Sequence, residues 1–381
     1  MLALRYTPSL PRYVAARAGA PAAGGSLALE EIRPPRLPGP VWVPVRPRLS
    51  GICGSDQAML AGKASLYLAS FTSGPFVPGH EVVGEIAAGP RRGERVVVQP
   101  ALGCAVRGID PPCPECAAGL PALCRNTVDG AVSAGLQTGY CRDVGGGWSE
   151  GLVAHESQLH AVPDDVPDED AVLVEPLACA LHAAAVADPA PADRIAVIGA
   201  GTIGLLTVAA LRAREAGVTI VSAAKHSAQE AAARRFGADH ACPADRLTAE
   251  GARLTGARRL VGHAGRELLL GGFERVLDCV GSGASLQTAI SVCAPRGRVV
   301  MVGMPGSLHA DLALAWLREI EVRGAYGYEA DFPAAIELAR RLRPGRLIDR
   351  GWPLRLYKRA LKEAPRGARA GRPKTVFEVA G

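Results

Sequence analysis

Val197-Ile198-Gly199-Ala200-Gly201-Thr202-Ile203-Gly204 is the stretch that decides the fold of this chain. A short apolar run, Ile195-Ala196-Val197-Ile198, leads into three glycines spaced G-x-G-x-x-G, and an Ala- and Leu-rich segment follows. Glycine permits the tight turn and lets the backbone approach a pyrophosphate, whose charge settles on the N-terminus of the next helix. Three glycines alone would say little. With a strand before them and a helix after them, Gly199, Gly201, Thr202, Ile203 and Gly204 become candidate contacts of a dinucleotide.

Working outward from that turn, helical stretches over 171–187, 202–215, 228–236 and 284–292 alternate with compact apolar strands over 195–198, 219–222, 275–279 and 299–302. Alternation of that length predicts βαβ units on a parallel sheet. Upstream of about residue 165 the texture differs. Val41-Trp42-Val43-Pro44-Val45, Val82-Val83-Gly84-Glu85-Ile86 and Arg95-Val96-Val97-Val98 are short strands broken by Gly and Pro, which predicts a small barrel or sandwich. After Gly324 the pattern is mixed again, with a helix expected over 332–341 and a terminal strand over 375–379.

At 381 residues the chain is long enough for two domains with their own cores. Hydrophobic residues at 48% and charged residues at 21% describe an ordinary globular protein and exclude a disordered one. A net charge of +6 without a long basic run gives no support for a nucleic-acid partner. No apolar run approaches the roughly 20 residues of a membrane span, and the N-terminus lacks an apolar signal stretch. The expectation is a cytoplasmic protein with no membrane partner. The spacing of the ten cysteines suits metal binding and core packing better than disulfides.

Three further motifs carry zinc-ligand chemistry: Gly51-Ile52-Cys53-Gly54-Ser55-Asp56, Gly79-His80-Glu81 and Glu175-Pro176-Leu177. Thiolate, imidazole and carboxylate are all accepted by zinc, and three protein ligands with one open position mark a catalytic site. Singly, Cys53 reads as a small buried hydrophobe and Glu175 as an acid at a helix N-terminus. Together with the glycine turn, the set resembles the zinc-dependent medium-chain dehydrogenase/reductase family over nearly the whole chain. Glu175-Pro176-Leu177 is similar to the branch of polyol, sugar and threonine dehydrogenases.

That resemblance implies an α/β protein in two domains. A GroES-like β-barrel catalytic domain would take residues 1–175 and 325–381, and a Rossmann doubly wound parallel-sheet domain, binding NAD(P), residues 176–324. Cys53, His80 and Glu175 are the implied ligands of the catalytic zinc, Glu175 directly or through water. Glu81 either ligates it or sits just behind. Ser55 matches a hydroxyl that hands the substrate proton onward, and Asp56 an acid that orients the ligand histidine. Where many relatives finish the relay with a His, this chain has Ala58. Trp148 reads equally as pocket wall or barrel packing.

The implied activity is hydride transfer between a nicotinamide cofactor and a small secondary alcohol, or the matching carbonyl, of a polyol, sugar or amino-acid-like compound. The alternatives are a zinc-free quinone or enone reductase of the same superfamily and a catalytically silent nucleotide-binding relative. A homodimer or homotetramer is expected, paired through the strand after the segment 299–304.

Two features depart from the family pattern. Its structural zinc lobe reads C-x2-C-x2-C-x7-C, whereas here Asp110 stands in the first position before Cys113, Cys116 and Cys124. A second zinc held by Asp110, Cys113, Cys116 and Cys124 is the expectation, with Cys104 as an alternative fourth ligand. The other departure lies at the end of the second Rossmann strand, where NAD-specific relatives place an acid for the ribose 2′-hydroxyl. Here that position is Ala224, followed by Lys225, so NADP is expected over NAD. Lys374 stands where relatives use a basic residue near the pyrophosphate.

Overall fold

The computed structural model describes residues 1–18, 26–328 and 332–379. The chain divides into two compact units, Met1–Ala178 with Gly327–Pro365 and Lys374–Gly381, and Cys179–Tyr326 with Arg366–Pro373.

Strand Trp42–Gly51 is the spine of the first unit. Its register shifts between Pro47 and Leu49, so its two ends serve different neighbours. The first residues pair with Leu152–His155, the middle with Val82–Ile86 and the last with Lys374–Glu378, all antiparallel. Arg95–Val98, Leu159–Ala161 and Ile348–Pro353 complete a seven-stranded sheet. Its inward side chains, Val45, Val82, Ile86, Val96, Val98 and Leu152, are at most 2% exposed, and burying each contributes on the order of 2 kcal/mol. A second cluster gathers Leu4, Ile52, Phe76, Trp148, Trp352 and Phe377. The strands over 82–86 and 95–98 fall where the sequence places them.

The second unit carries a six-stranded sheet in which every neighbouring pair is parallel. In space the strands run His240–Pro243, Thr219–Ala224, Arg194–Ile198, Phe273–Asp278, Cys293–Met301 and Glu321–Gly324. Numbered along the sheet's own strands, that is the order 3-2-1-4-5-6 of a doubly wound dinucleotide fold. The strand residues Ala196, Val221, Val276 and Val299 are fully buried beneath helices such as Gly283–Val292.

Several elements differ from the sequence reading. The helix expected over 171–187 is two, Asp168–Ala171 and Val174–Ala187. The later start puts Pro176 in a first turn, where its missing N–H costs nothing. Helices Leu10–Arg17 and Tyr357–Gly367 and the hairpin of Arg258–Val261 with Glu267–Leu270 were not anticipated. Among the described residues no helix is long and apolar enough to cross a membrane.

Candidate active site

Sheet pairing builds the first donor group. Strand Trp42–Gly51 ends just before Cys53, which opens helix Gly54–Leu60. The Gly51 N–H donates to the Glu81 carbonyl at 2.9 Å, which brings His80 and Glu81 alongside Cys53. One ligand atom from each of Cys53, His80 and Glu81 lies within 4.8 Å of the others. Gly51 makes room for this: a Cβ there would stand 1.7 Å from Glu81 Oε2 and 2.9 Å from Lys374 Cε.

Asp56 is fully buried beneath the group. Its Oδ2 accepts the Cys53 N–H at 2.9 Å, and its Oδ1 lies 3.6 Å from His80 Nδ1 and accepts the Tyr140 hydroxyl at 3.4 Å. Burial pushes the Asp56 carboxyl up, with His80 and the Cys53 N–H opposing. For His80, burial pulls downward, yet Asp56, Cys53 and Glu175 outweigh it and hold the imidazole well above its ordinary value. A buried field that binds a proton this firmly also attracts a divalent cation. His80 Nδ1 has no hydrogen-bond partner among the described residues. The donor types, their closeness and their burial all fit zinc.

Glu175, 7% exposed in the first turn of helix Val174–Ala187, is outside the tight group, although its charge acts on both His80 and Lys374. Ser55 is half-buried in the first turn of Gly54–Leu60. Trp148 is core: it is fully buried, donates from Nε1 to the Gly51 carbonyl at 3.1 Å and packs edge-on against Phe377.

Lys374 stands beside the first donor group. It begins strand Lys374–Glu378, and its ammonium is ion-paired with Glu81 and donates to the Ile52 carbonyl at 3.3 Å. Both members of the pair are 2% exposed at the side chain. The reason is the pairing of Val376 with Gly51, which fixes Lys374 beside Glu81.

The second donor group consists of Cys104, Cys113, Cys116 and Cys124, again within 4.8 Å of one another. Asp110, the expected fourth ligand, is exposed and lies outside it. A tight turn explains the exchange: the N–H groups of Arg107 and Ile109 donate to the Cys104 carbonyl and fold Cys104 back onto the other thiols. Sulfur acceptors here face N–H donors, with Cys113 N–H and Asn126 Nδ2 on Cys104 at 3.3 and 3.2 Å. Burial pushes the Cys104 thiol up, but these donors outweigh it and bring it down to about 7. Arg107, 1% exposed, braces the lobe by donating to the carbonyls of Leu102, Asp129, Val132, Ser133 and Gly135 at 2.7–3.4 Å.

In the second unit, the glycine turn joins strand Arg194–Ile198 to helix Thr202–Arg214. A Cβ on Gly204 would sit 1.8 Å from the Gly199 carbonyl oxygen, so the third glycine is required for the helix to pack on the turn. Ala224 ends strand Thr219–Ala224 and is 1% exposed, while Lys225 beyond it is exposed and His226 half-buried.

Residues 39–164 match the alcohol dehydrogenase GroES-like domain and residues 202–341 the zinc-binding dehydrogenase domain. Sorbitol dehydrogenase of Bacillus subtilis (strain 168) is 29% identical over 298 residues, 75% of either chain. L-idonate 5-dehydrogenase of Vitis vinifera is 28% identical over 332 residues, 81% of this chain and 80% of its own. The chain belongs to the zinc-dependent medium-chain dehydrogenase/reductase family. A crystal structure of a short chain alcohol dehydrogenase from E. coli CFT073, complexed with NADH, shares its fold with a TM-score of 0.74 over 99% of both chains at 22% identity.

Within this medium-chain dehydrogenase, the sequence pattern ranks Cys104 behind Asp110, gives no sign that Lys374 pairs with Glu81, and leaves Arg107 unmarked. A cysteine nine residues ahead of Cys113 was the available signal for the first. No local pattern announces the other two.

Proposed function

We propose that this zinc-dependent dehydrogenase oxidises a secondary alcohol of a polyol, a sugar or an amino-acid-like compound, and reduces the matching carbonyl in reverse. The observation that carries the reading is the convergence of half-buried Cys53 with buried His80 and Glu81. It speaks against a zinc-free quinone or enone reductase, and against a silent nucleotide-binding relative.

Bound zinc supplies Lewis acidity at the alcohol oxygen, and the nicotinamide ring supplies the hydride acceptor. Cys53 and His80 are the protein ligands, with Glu81 and Glu175 as the carboxylates that complete the set directly or through water. Asp56 acts on His80 by charge, its Oδ1 3.6 Å from Nδ1, and so favours that ring orientation. Lys374 balances Glu81 by charge. Ser55 Oγ takes the proton that leaves the alcohol. Ala58 offers no imidazole for a longer relay, so the half-exposed Ser55 passes the proton to solvent itself. Residues 1–175 with 325–381 form the catalytic domain in this reading, and residues 176–324 bind the cofactor through Gly199, Gly201, Thr202, Ile203 and Gly204.

NADP is preferred over NAD. Ala224 offers no carboxylate to repel a 2′-phosphate, and the exposed Lys225 gives it a cation. A second zinc sits on Cys104, Cys113, Cys116 and Cys124, supported by the N–H donors around those sulfurs. Assembly as a homodimer or homotetramer uses the edge strand Glu321–Gly324, supported by its four exposed residues and by Trp316, 83% exposed just before it. Cysteines spaced for metal binding and core packing suit the cytoplasm.

Polyols, aldoses, threonine and simple alcohols, assayed with both cofactors before and after zinc removal, test the reading. Turnover untouched by zinc removal overturns it. A clear advantage for NAD that Lys225→Ala leaves unchanged overturns the NADP preference, and a monomer by sedimentation at micromolar concentration overturns the assembly.

A further inference from the structure

Gln229, in the first turn of helix Ser227–Arg235, is only 6% exposed although it carries an amide. Its Nε2 donates to the Ala200 carbonyl at 3.0 Å, inside the glycine turn. Its Oε1 accepts the N–H groups of Lys225 and His226, each at 3.2 Å. A primary amide can donate from one end and accept twice at the other, which is what this position uses.

The two segments so joined are the ones that face the adenosine end of a dinucleotide in this fold: the glycine turn at the pyrophosphate, and the residues after the second strand at the ribose. Strand Thr219–Ala224 stops one residue short of Lys225, so sheet pairing does not fix the loop that follows. Lys225 and Ser227 are exposed, and burial of their side chains does not fix it either. His226 caps the helix that follows, and the three hydrogen bonds of Gln229 tie that cap and Lys225 to the glycine turn.

We infer that Gln229 is a positioning residue for the cofactor's adenosine half. It sets the distance between the glycine turn and the Lys225–His226 backbone, and so determines how well the ribose and its substituent are held. Its own amide is spent on the main chain rather than on the cofactor. The inference rests on the reading that the glycine turn holds a nicotinamide dinucleotide, and it is independent of the choice between NAD and NADP.

Half-cofactors isolate this end of the molecule. Calorimetric titration of the full-length protein with adenosine 5′-monophosphate and adenosine 2′,5′-bisphosphate compares wild type with Gln229→Met and Gln229→Glu. The methionine keeps the bulk and removes both polar ends. The glutamate keeps the acceptor for Lys225 and His226 and loses the donor to Ala200. Gln229→Met is expected to weaken whichever fragment the wild type binds by about tenfold, with Gln229→Glu between the two. KM for the dinucleotide rises in step, while kcat at saturation moves less than about twofold. A packing role alone would lower the melting temperature and leave fragment affinity untouched, so folded variants that bind within twofold of wild type overturn the inference. Failure of the wild type to bind either fragment overturns the cofactor reading and this one with it.

Discussion

Two sulfur-bearing groups lie in the same unit and differ in what touches their donor atoms. Around Cys53, His80 and Glu81 stand charged side chains, with Asp56 at His80, Lys374 on Glu81 and Glu175 acting on both. Around Cys104, Cys113, Cys116 and Cys124 stand N–H donors, from Cys104, Cys113 and Asn126, and no carboxylate is in the group. Backbone donors are set once the loop has folded. Charged side chains can be exchanged one at a time and change the potential at the metal as they go. A mixed group of three donor residues therefore suits chemistry, and a closed group of four cysteines suits stability.

The sharpest test of that division is Cys53→Ser or His80→Ala. Removing several kcal/mol of charge stabilisation lowers turnover on the order of 10³-fold or more, while cofactor affinity by titration stays near wild type. Equal loss of cofactor binding would break the comparison, because the first group would then be structural as well. Cys104→Ser is expected to take the zinc content from two ions per chain to one and to lower the melting temperature. Metal analysis that gives one ion in the wild type, unchanged by this substitution, would show the thiol lobe to be metal-free.

Arg107→Ala probes the lobe without touching a sulfur. It strands five carbonyl acceptors, two of them bonded at 2.7 Å, and should cost about 3 kcal/mol in chemical denaturation. A cost below about 1 kcal/mol would mean that the thiols hold the lobe unaided. On the other side, Lys374→Met removes a cation from beside the first group. Less repulsion toward a dication, and a Glu81 carboxylate freed to ligate, should slow zinc loss to a chelator about tenfold in the loaded protein. Faster loss would show that Lys374 supports the metal rather than competing with it. The smallest effect belongs to Asp110→Ala, for which zinc content and melting temperature should not change; loss of one ion would restore Asp110 as a ligand.

Local grammar was readable where local physics decides it. The glycine turn, its flanking strand and helix, and the strands Val82–Ile86 and Arg95–Val98 all follow from short-range patterns of apolar and turn residues. So does the nearness of His80 to Glu81 in sequence, and of Cys53 to Asp56. What escaped was set by pairing between distant segments. Lys374 meets Glu81 across 293 positions, because two strands add to one sheet in a particular register. Arg107 finds its carbonyls only after the lobe closes, and nothing in its immediate neighbours marks it as buried. Asp110 matches a spacing, whereas the turn over residues 104–109 decides for Cys104.

Strand Lys374–Glu378 lies between Trp42–Gly51 and Ile348–Pro353 in the sheet, and its first residue supplies the cation on Glu81. Synthesis reaches that strand after the other strands of both sheets. All six strands of the parallel sheet lie within 194–324, so they have been made some 50 residues earlier. A nascent chain thus presents Cys53, His80 and Glu81 for a long interval without the strand that seals them, and a ribosome that stalls before position 374 leaves those donors on an open sheet edge.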